Sequence, residues 1–126
     1  MLPDSKLTIL HTEASNGWGG QEIRILTEAE WFREQGYRIL IANPQNGQLN
    51  AKARDRGFEV FDIPFEKKTK LGDFFRVRKI ILDHKPDVIG THSSVDSWVG
   101  LLAATLSYVP CRLRYRHVST PVHNNP

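Results

Sequence analysis

Residues 6–22 read KLTILHTEASNGWGGQE, and within them Asn16–Glu22 packs three glycines and a tryptophan directly after an apolar run. Residues 6–12 have the length and apolar content of a strand, and a helix begins at Gly20 or Gln21. The glycine loop therefore hands the chain from the end of a strand to the start of a helix. Unpaired backbone N–H groups and the positive dipole end meet at such a point and attract anions. The loop is either an anion or phosphate site or a tight turn with no ligand.

Outward from that stretch the same alternation continues. Residues 20–35 carry Ile25, Leu26, Ala29 and Phe32 at helical spacing, and Gly36 stops the helix. Residues 37–42 (YRILIA) make a second strand. Residues 49–56 form a short helix closed by Gly57, and residues 58–63 a third strand ending at Pro64. A basic loop leads to a helix over 73–84, with Phe74, Val77, Ile80 and Ile81 on one side. Pro86 and a fourth strand, 87–91, follow. Ser93 with Asp96 three residues on is a capping-box pattern for a further helix with a buried stripe from Val95 to Leu106. Residues 111–118 (CRLRYRHV) read as strand five.

Five strands alternating with four helices predict an α/β fold: a Rossmann-like, doubly wound parallel sheet of about five strands with helices on both faces. Ligands of such sheets bind beyond the C-terminal strand ends. That rule selects the loops at 11–20, 43–47, 92–96 and 117–124, three of which carry a histidine at or just after the strand end.

At 126 residues the chain is read as one domain, 1–126. Its net charge of +3 permits an anionic partner without choosing one. A single cysteine, Cys111, excludes an internal disulfide. No signal peptide and no run long enough to span a bilayer are evident, so the expected compartment is the cytoplasm. Motif tests narrow the chemistry. Counted from Gly17, the sixth position of a dinucleotide fingerprint is Glu22, which puts a carboxylate where a pyrophosphate would sit. No P-loop, Gly-x-Ser-x-Gly elbow or Asp-x-Asp pair occurs. The histidines lack zinc-site spacing, so no metal site is expected.

Three stretches in order, Gly17-Trp18-Gly19-Gly20-Gln21-Glu22, then His84-Lys85-Pro86-Asp87-Val88-Ile89 leading to Thr91-His92-Ser93-Ser94, then Arg114-Tyr115-Arg116-His117-Val118-Ser119-Thr120, resemble the N-terminal domain of family 4 retaining glycosyltransferases of the GT-B fold. The resemblance covers nearly the whole chain. It implies an acceptor-side lobe facing a donor-binding C-terminal lobe across a cleft, with a nucleotide-sugar as co-substrate and neither cofactor nor metal. Transfer would be to a glycan or lipid, in lipopolysaccharide or related glycan synthesis. It also implies that Gly19, Gly20 and Gln21, with Gly17, Trp18 and Glu22 beside them, approach the donor, and that His117 contacts the donor sugar as the catalytic-site histidine. His92, Ser93 and Ser94 are acceptor-side candidates, although Ser93 is also explained as a helix cap. The family's second signature, two glutamates with seven residues between them in the other lobe, has a chance copy in Glu22 and Glu30 on the first helix. The end at Pro126 reads as a truncation, and such a fragment would be inactive alone.

Arg112, Arg114 and Arg116 alternate on one face of strand five. They imply an edge position, cover by another lobe, or pairing with acidic groups or phosphate, for which Arg116 is the substrate-binding candidate. Lys67, Lys68, Lys70, Arg76, Arg78 and Lys79, with Phe74 and Phe75 among them, form either a solvated basic face or an adhesion site for an anionic membrane. Nucleic acid is not an expected partner, because no recognition motif accompanies the patch. The rival to the glycosyltransferase reading is a free-standing, non-catalytic α/β module that binds a phosphorylated or anionic ligand.

Overall fold

The computed structural model describes residues 7–92, Ala103 and 111–114. Strands β1 (Thr8–Thr12), β2 (Arg38–Asn43), β3 (Glu59–Asp62), β4 (Val88–Thr91) and β5 (Cys111–Arg114) form one sheet in the order β3-β2-β1-β4-β5. All four strand pairings are parallel. Parallel neighbours require crossovers, and helices α1 (Gly20–Glu34), α2 (Gln48–Asp55) and α3 (Lys70–His84) supply those between β1, β2, β3 and β4.

Alternate residues of the strands serve two cores. Ile9, Ile39 and Ile41 pack with Ile25, Leu26 and Ala29 of α1 and Leu49 and Ala53 of α2. Leu10, Leu40, Ala42 and Ile89 pack on the other face with Val77, Ile80 and Ile81 of α3 and with Ala103. Covering both faces explains why β2 reads as an unbroken apolar run, buried from Ile39 to Asn43. The order, direction and two-sided cover are those of the doubly wound Rossmann-like fold.

The helix stops follow backbone chemistry. Gly36 (φ 97°) and Gly57 (φ 81°) take left-handed conformations that let Tyr37 N–H reach the Phe32 carbonyl and Phe58 N–H the Ala53 carbonyl, both closing the last turn. α3 ends instead at Lys85, left-handed at φ 50° without a glycine, before Pro86.

One element differs from the expectation. The basic loop before Asp73 is helical: a 3-10 turn, Lys67–Thr69, runs straight into α3, which begins three residues earlier than expected. Thr69 causes this, because its Oγ1 donates to Asp73 Oδ2 (2.6 Å) and accepts from Glu66 N–H (3.0 Å). Strand bounds shift by a residue or two, and β5 is described to Arg114 only. Of the helix expected after Ser93, Ala103 is described, helical and fully buried; the rest lies outside the described residues. β5 sits at one end of the described sheet, and Arg116, the third of its arginines, lies outside the described residues.

Candidate functional site at the C-terminal sheet edge

Three loops converge where β1, β2 and β3 end, and buried polar side chains fix them. Glu13, directly after β1, is fully buried. Its carboxylate accepts from Ser15 N–H (2.8 Å) and from the Gln21 side-chain amide, so it clamps the start of the glycine loop to the first turn of α1. Asn43, at the end of β2, donates to the carbonyls of Glu13 (2.7 Å) and Ser15 (3.1 Å). Its Oδ1 accepts from Asn50 N–H in the first turn of α2 (2.9 Å). Asn50 in turn reaches Asp62 at the end of β3 (2.8 Å), where Arg54 also donates (2.8 Å). One network thus ties three strand ends and two helices together.

The start of α2 has no capping side chain of its own, because Gly47 precedes it. Asn43 supplies that function from the strand, and the Asn16 carbonyl accepts from Gln48 N–H (3.1 Å). A Cβ on Gly47 would lie 2.2 Å from Asn43 Oδ1, so packing alone demands a glycine there.

The glycine loop is different. Gly17, Gly19 and Gly20 are exposed, and none takes a left-handed conformation. An added Cβ would meet nothing within 4 Å at Gly20 and only ordinary contacts at Gly17 and Gly19. Neither backbone geometry nor packing within the described residues requires these glycines. Glu22 is buried, and its Oε1 accepts from Gly19 N–H (2.9 Å), half of a capping box. Its carboxylate is therefore spent on the helix start. Glu30, its partner in the chance spacing, lies 3.4 Å from Arg56. Trp18 is half-buried against the α1–α2 core, with Lys52 Nζ 4.9 Å from its ring centre. Gln21 is half-buried on Glu13.

A second polar pair sits beside the loop. His11 on β1 and His92, just after β4, are both buried, with Nδ1 of His11 3.0 Å from Nε2 of His92. Burial pushes the His11 imidazole down to a pKa of about 4, so it is neutral near pH 7. His92, an acceptor-side candidate, thus turns its Nε2 onto His11. Ser93, Ser94, Arg116 and His117 lie outside the described residues. Sequence reasoning missed Glu13, Asn43 and Asn50 because buried polar groups leave no periodic signal. Only the strand-end rule pointed to their neighbourhood.

An open cleft of about 390 Å³ lies between these loops. Its walls include Asn16 after β1, Pro44, Gln45 and Asn46 after β2, and Pro64 and Glu66 after β3.

The model of Glycosyltransferase Family 4 matches residues 18–125. The chain belongs to this family. Among solved structures, MurG of Acinetobacter baumannii superposes with a TM-score of 0.73 at 18% identity, over 93% of this chain and 37% of MurG. Anabaena HepE in complex with UDP-glucose superposes with a TM-score of 0.70 at 18% identity, over 94% of this chain and 32% of HepE. A glycosyltransferase from Rickettsia africae ESF-5 gives 0.70 at 17% identity, over 93% and 32%. Comparison with curated protein sequences gave no significant match. This family 4 chain spans about a third of the length of those structures, and it has the fold of the N-terminal lobe of a GT-B glycosyltransferase.

Proposed function

We propose that this lobe is the acceptor side of a retaining glycosyltransferase that moves a sugar from a nucleotide-sugar donor to a hydroxyl of a glycan or lipid. One observation carries the reading: Gly17, Gly19 and Gly20 are free of side chains for no reason internal to the described residues. Bare backbone at the N-terminus of α1, on the sheet edge where such folds bind ligands, suits close approach of a diphosphate or sugar from a facing lobe. Gly17 N–H and Gly19 N–H are already bonded, to Ser15 Oγ (3.1 Å) and Glu22 Oε1 (2.9 Å), so the remaining first-turn amides of α1 and the helix dipole would offset charge building on the departing diphosphate. His117 is proposed to orient the donor sugar, and Arg116 to meet phosphate. Metal-independent transfer belongs to the same reading. Family membership weighs against the free-standing binding module.

Attachment to the inner face of a membrane is part of the proposal, supported by α3. Leu71 (74% exposed), Phe75 (57%) and Leu82 (47%) line one face at helical spacing, flanked by exposed Lys68, Arg78 and Lys79. No helix among the described residues is long and apolar enough to cross a membrane.

The test is a pair of assays with a panel of nucleotide-sugars and a glycan or lipid acceptor mixture, in chelator. The full-length protein transfers sugar with the donor's anomeric configuration kept in the product, read by NMR, whereas the 126 residues alone turn nothing over. Inverted product, dependence on added metal, or turnover by the isolated chain contradicts the corresponding part of the proposal.

A further inference from the structure

We propose that the cleft between the ends of β1, β2 and β3 binds an uncharged glycosyl residue, held by the carboxamides of Asn16, Gln45 and Asn46. The inference rests on the glycosyltransferase reading and adds to it the chemistry of the ligand taken by this lobe. At about 390 Å³ the cleft falls in the range of small-molecule sites, roughly 300–1,000 Å³.

The lining defines what can enter. Each exposed carboxamide offers two N–H donors and an acceptor oxygen, the mixture that hydroxyl groups on adjacent ring carbons can satisfy in both directions. Pro64, half-buried, adds apolar surface for the C–H face of a pyranose. None of the lining residues is a cation, and one, Glu66, is a carboxylate. The nearest helix N-terminus offers little to an anion either, because Gln48 N–H is bonded to the Asn16 carbonyl and Asn50 N–H to Asn43 Oδ1. A phosphate here would face the Glu66 carboxylate with no cation in the lining, Lys68 lying outside it at 3.7 Å from Glu66 Oε1, whereas a neutral sugar meets no such repulsion. The donor's diphosphate belongs at the glycine loop and a neutral sugar here.

The walls are fixed before any ligand arrives. Gly47 N–H closes a turn onto the Pro44 carbonyl (2.8 Å), which sets Gln45 and Asn46 at its tip. Asn43 ties that turn to the β1 loop through the Glu13 and Ser15 carbonyls. On the third wall, Thr69 holds Glu66 N–H, and the preceding Phe65 is left-handed at φ 51° with its side chain buried. That conformation costs a non-glycine residue on the order of 1 kcal/mol, and such strain concentrates at ligand sites. A preformed site gives up less on binding than one that must order first.

The experiment titrates the ¹⁵N-labelled full-length protein with methyl glucoside, methyl galactoside, methyl N-acetylglucosaminide and glucose 6-phosphate. Expected are saturable shifts of the Asn16, Gln45 and Asn46 side-chain amide signals with at least one neutral glycoside, and none with the phosphate. Gln45→Ala and Asn46→Ala should each weaken that glycoside about two- to tenfold at unchanged thermal midpoint, the loss expected for one neutral hydrogen bond. No shift with any glycoside, tighter binding of the phosphate, or unchanged affinity in the double variant overturns the proposal. A parallel titration with nucleotide-sugars separates the two levels: donor binding that survives such a result leaves the glycosyltransferase reading standing, and donor binding absent throughout removes that reading itself.

Discussion

Gly20 and Gly47 stand at the starts of two helices on the same edge of the sheet, yet a methyl group added to them meets opposite surroundings. At Gly47 it would collide with Asn43 Oδ1 at 2.2 Å. The side chain it displaces serves Asn50 N–H and the carbonyls of Glu13 and Ser15. Leaving such buried groups unsatisfied costs about 1–3 kcal/mol. Gly47→Ala is therefore expected to lower stability by about 2 kcal/mol, measured by urea unfolding. Gly20→Ala adds its methyl to open space and replaces a poor helix former, so stability should hold or rise by up to about 1 kcal/mol. In a two-lobed protein carrying this lobe the same change should weaken nucleotide-sugar binding about tenfold, because the backbone would no longer be bare where the donor is proposed to approach. Unaltered donor affinity in Gly20→Ala would assign the loop to turn-making alone. The sequence marks both glycines but not the difference between them, which lies in a contact between residues 43 and 47 that only the folded turn creates.

At the scale of elements, most of the chain was legible because each stop has a local cause. Gly36 and Gly57 were read as helix ends and adopt the left-handed conformations that end helices. α3 shows where that logic runs out. Its start is set by side-chain bonds from Thr69 to Asp73 and Glu66, and a basic stretch that reads as loop is drawn into helix. Its charge also divides in a way composition does not show. Arg76 is held by buried Asp73 (2.8 Å) and Lys79 by Asp83 (2.9 Å). What faces outward between the charges is Leu71, Phe75 and Leu82. The proposed membrane attachment should consequently depend on the apolar stripe as much as on charge. Burying such a side chain fully is worth about 1.5–3 kcal/mol. Partial insertion of two of them still predicts at least a tenfold loss of co-sedimentation with phosphatidylcholine–phosphatidylglycerol vesicles for Leu71→Ser/Phe75→Ser, at unchanged thermal midpoint. Raising salt to about 1 M, where the screening length falls to about 3 Å, should release part of the parent protein. Equal binding by the double variant would leave the face as ordinary solvated surface.

For the molecule as a whole, the strand alternation was enough to give parallel direction and two-sided cover, since crossover helices leave few other solutions. The centre of the sheet was less legible. His11 and His92 were visible as histidines at strand ends, but their pairing depends on β1 lying beside β4 with His11 opposite Gly90, a register with no sequence mark. Burial of the His11 ring makes global stability depend on pH. The unfolded chain protonates His11 near pH 6.5, the folded chain only near 4, because burial disfavours the charged ring. Between those values the unfolded state holds more protons, so stability rises with pH. The His11 contribution is complete above about pH 6.5 and is lost as pH falls toward 4. Its full size is about 3 kcal/mol, at 1.36 kcal/mol per pKa unit. Glu59, Asp62 and Asp83 are held below their usual values by Arg38, by Asn50 with Arg54, and by Lys79. What they contribute is lost as pH falls through and below their unfolded values, 4.5 for Glu59 and 3.8 for the two aspartates, so it overlaps only the acid end of the His11 window and is common to parent and variant. Urea unfolding of the parent and of His11→Asn, which keeps a polar group near the Nδ1 position, isolates the effect. Between about pH 7 and pH 4.5 the parent should lose some 2–3 kcal/mol more than the variant. Parallel stability curves for the two proteins would mean that the buried ring accepts its proton without cost.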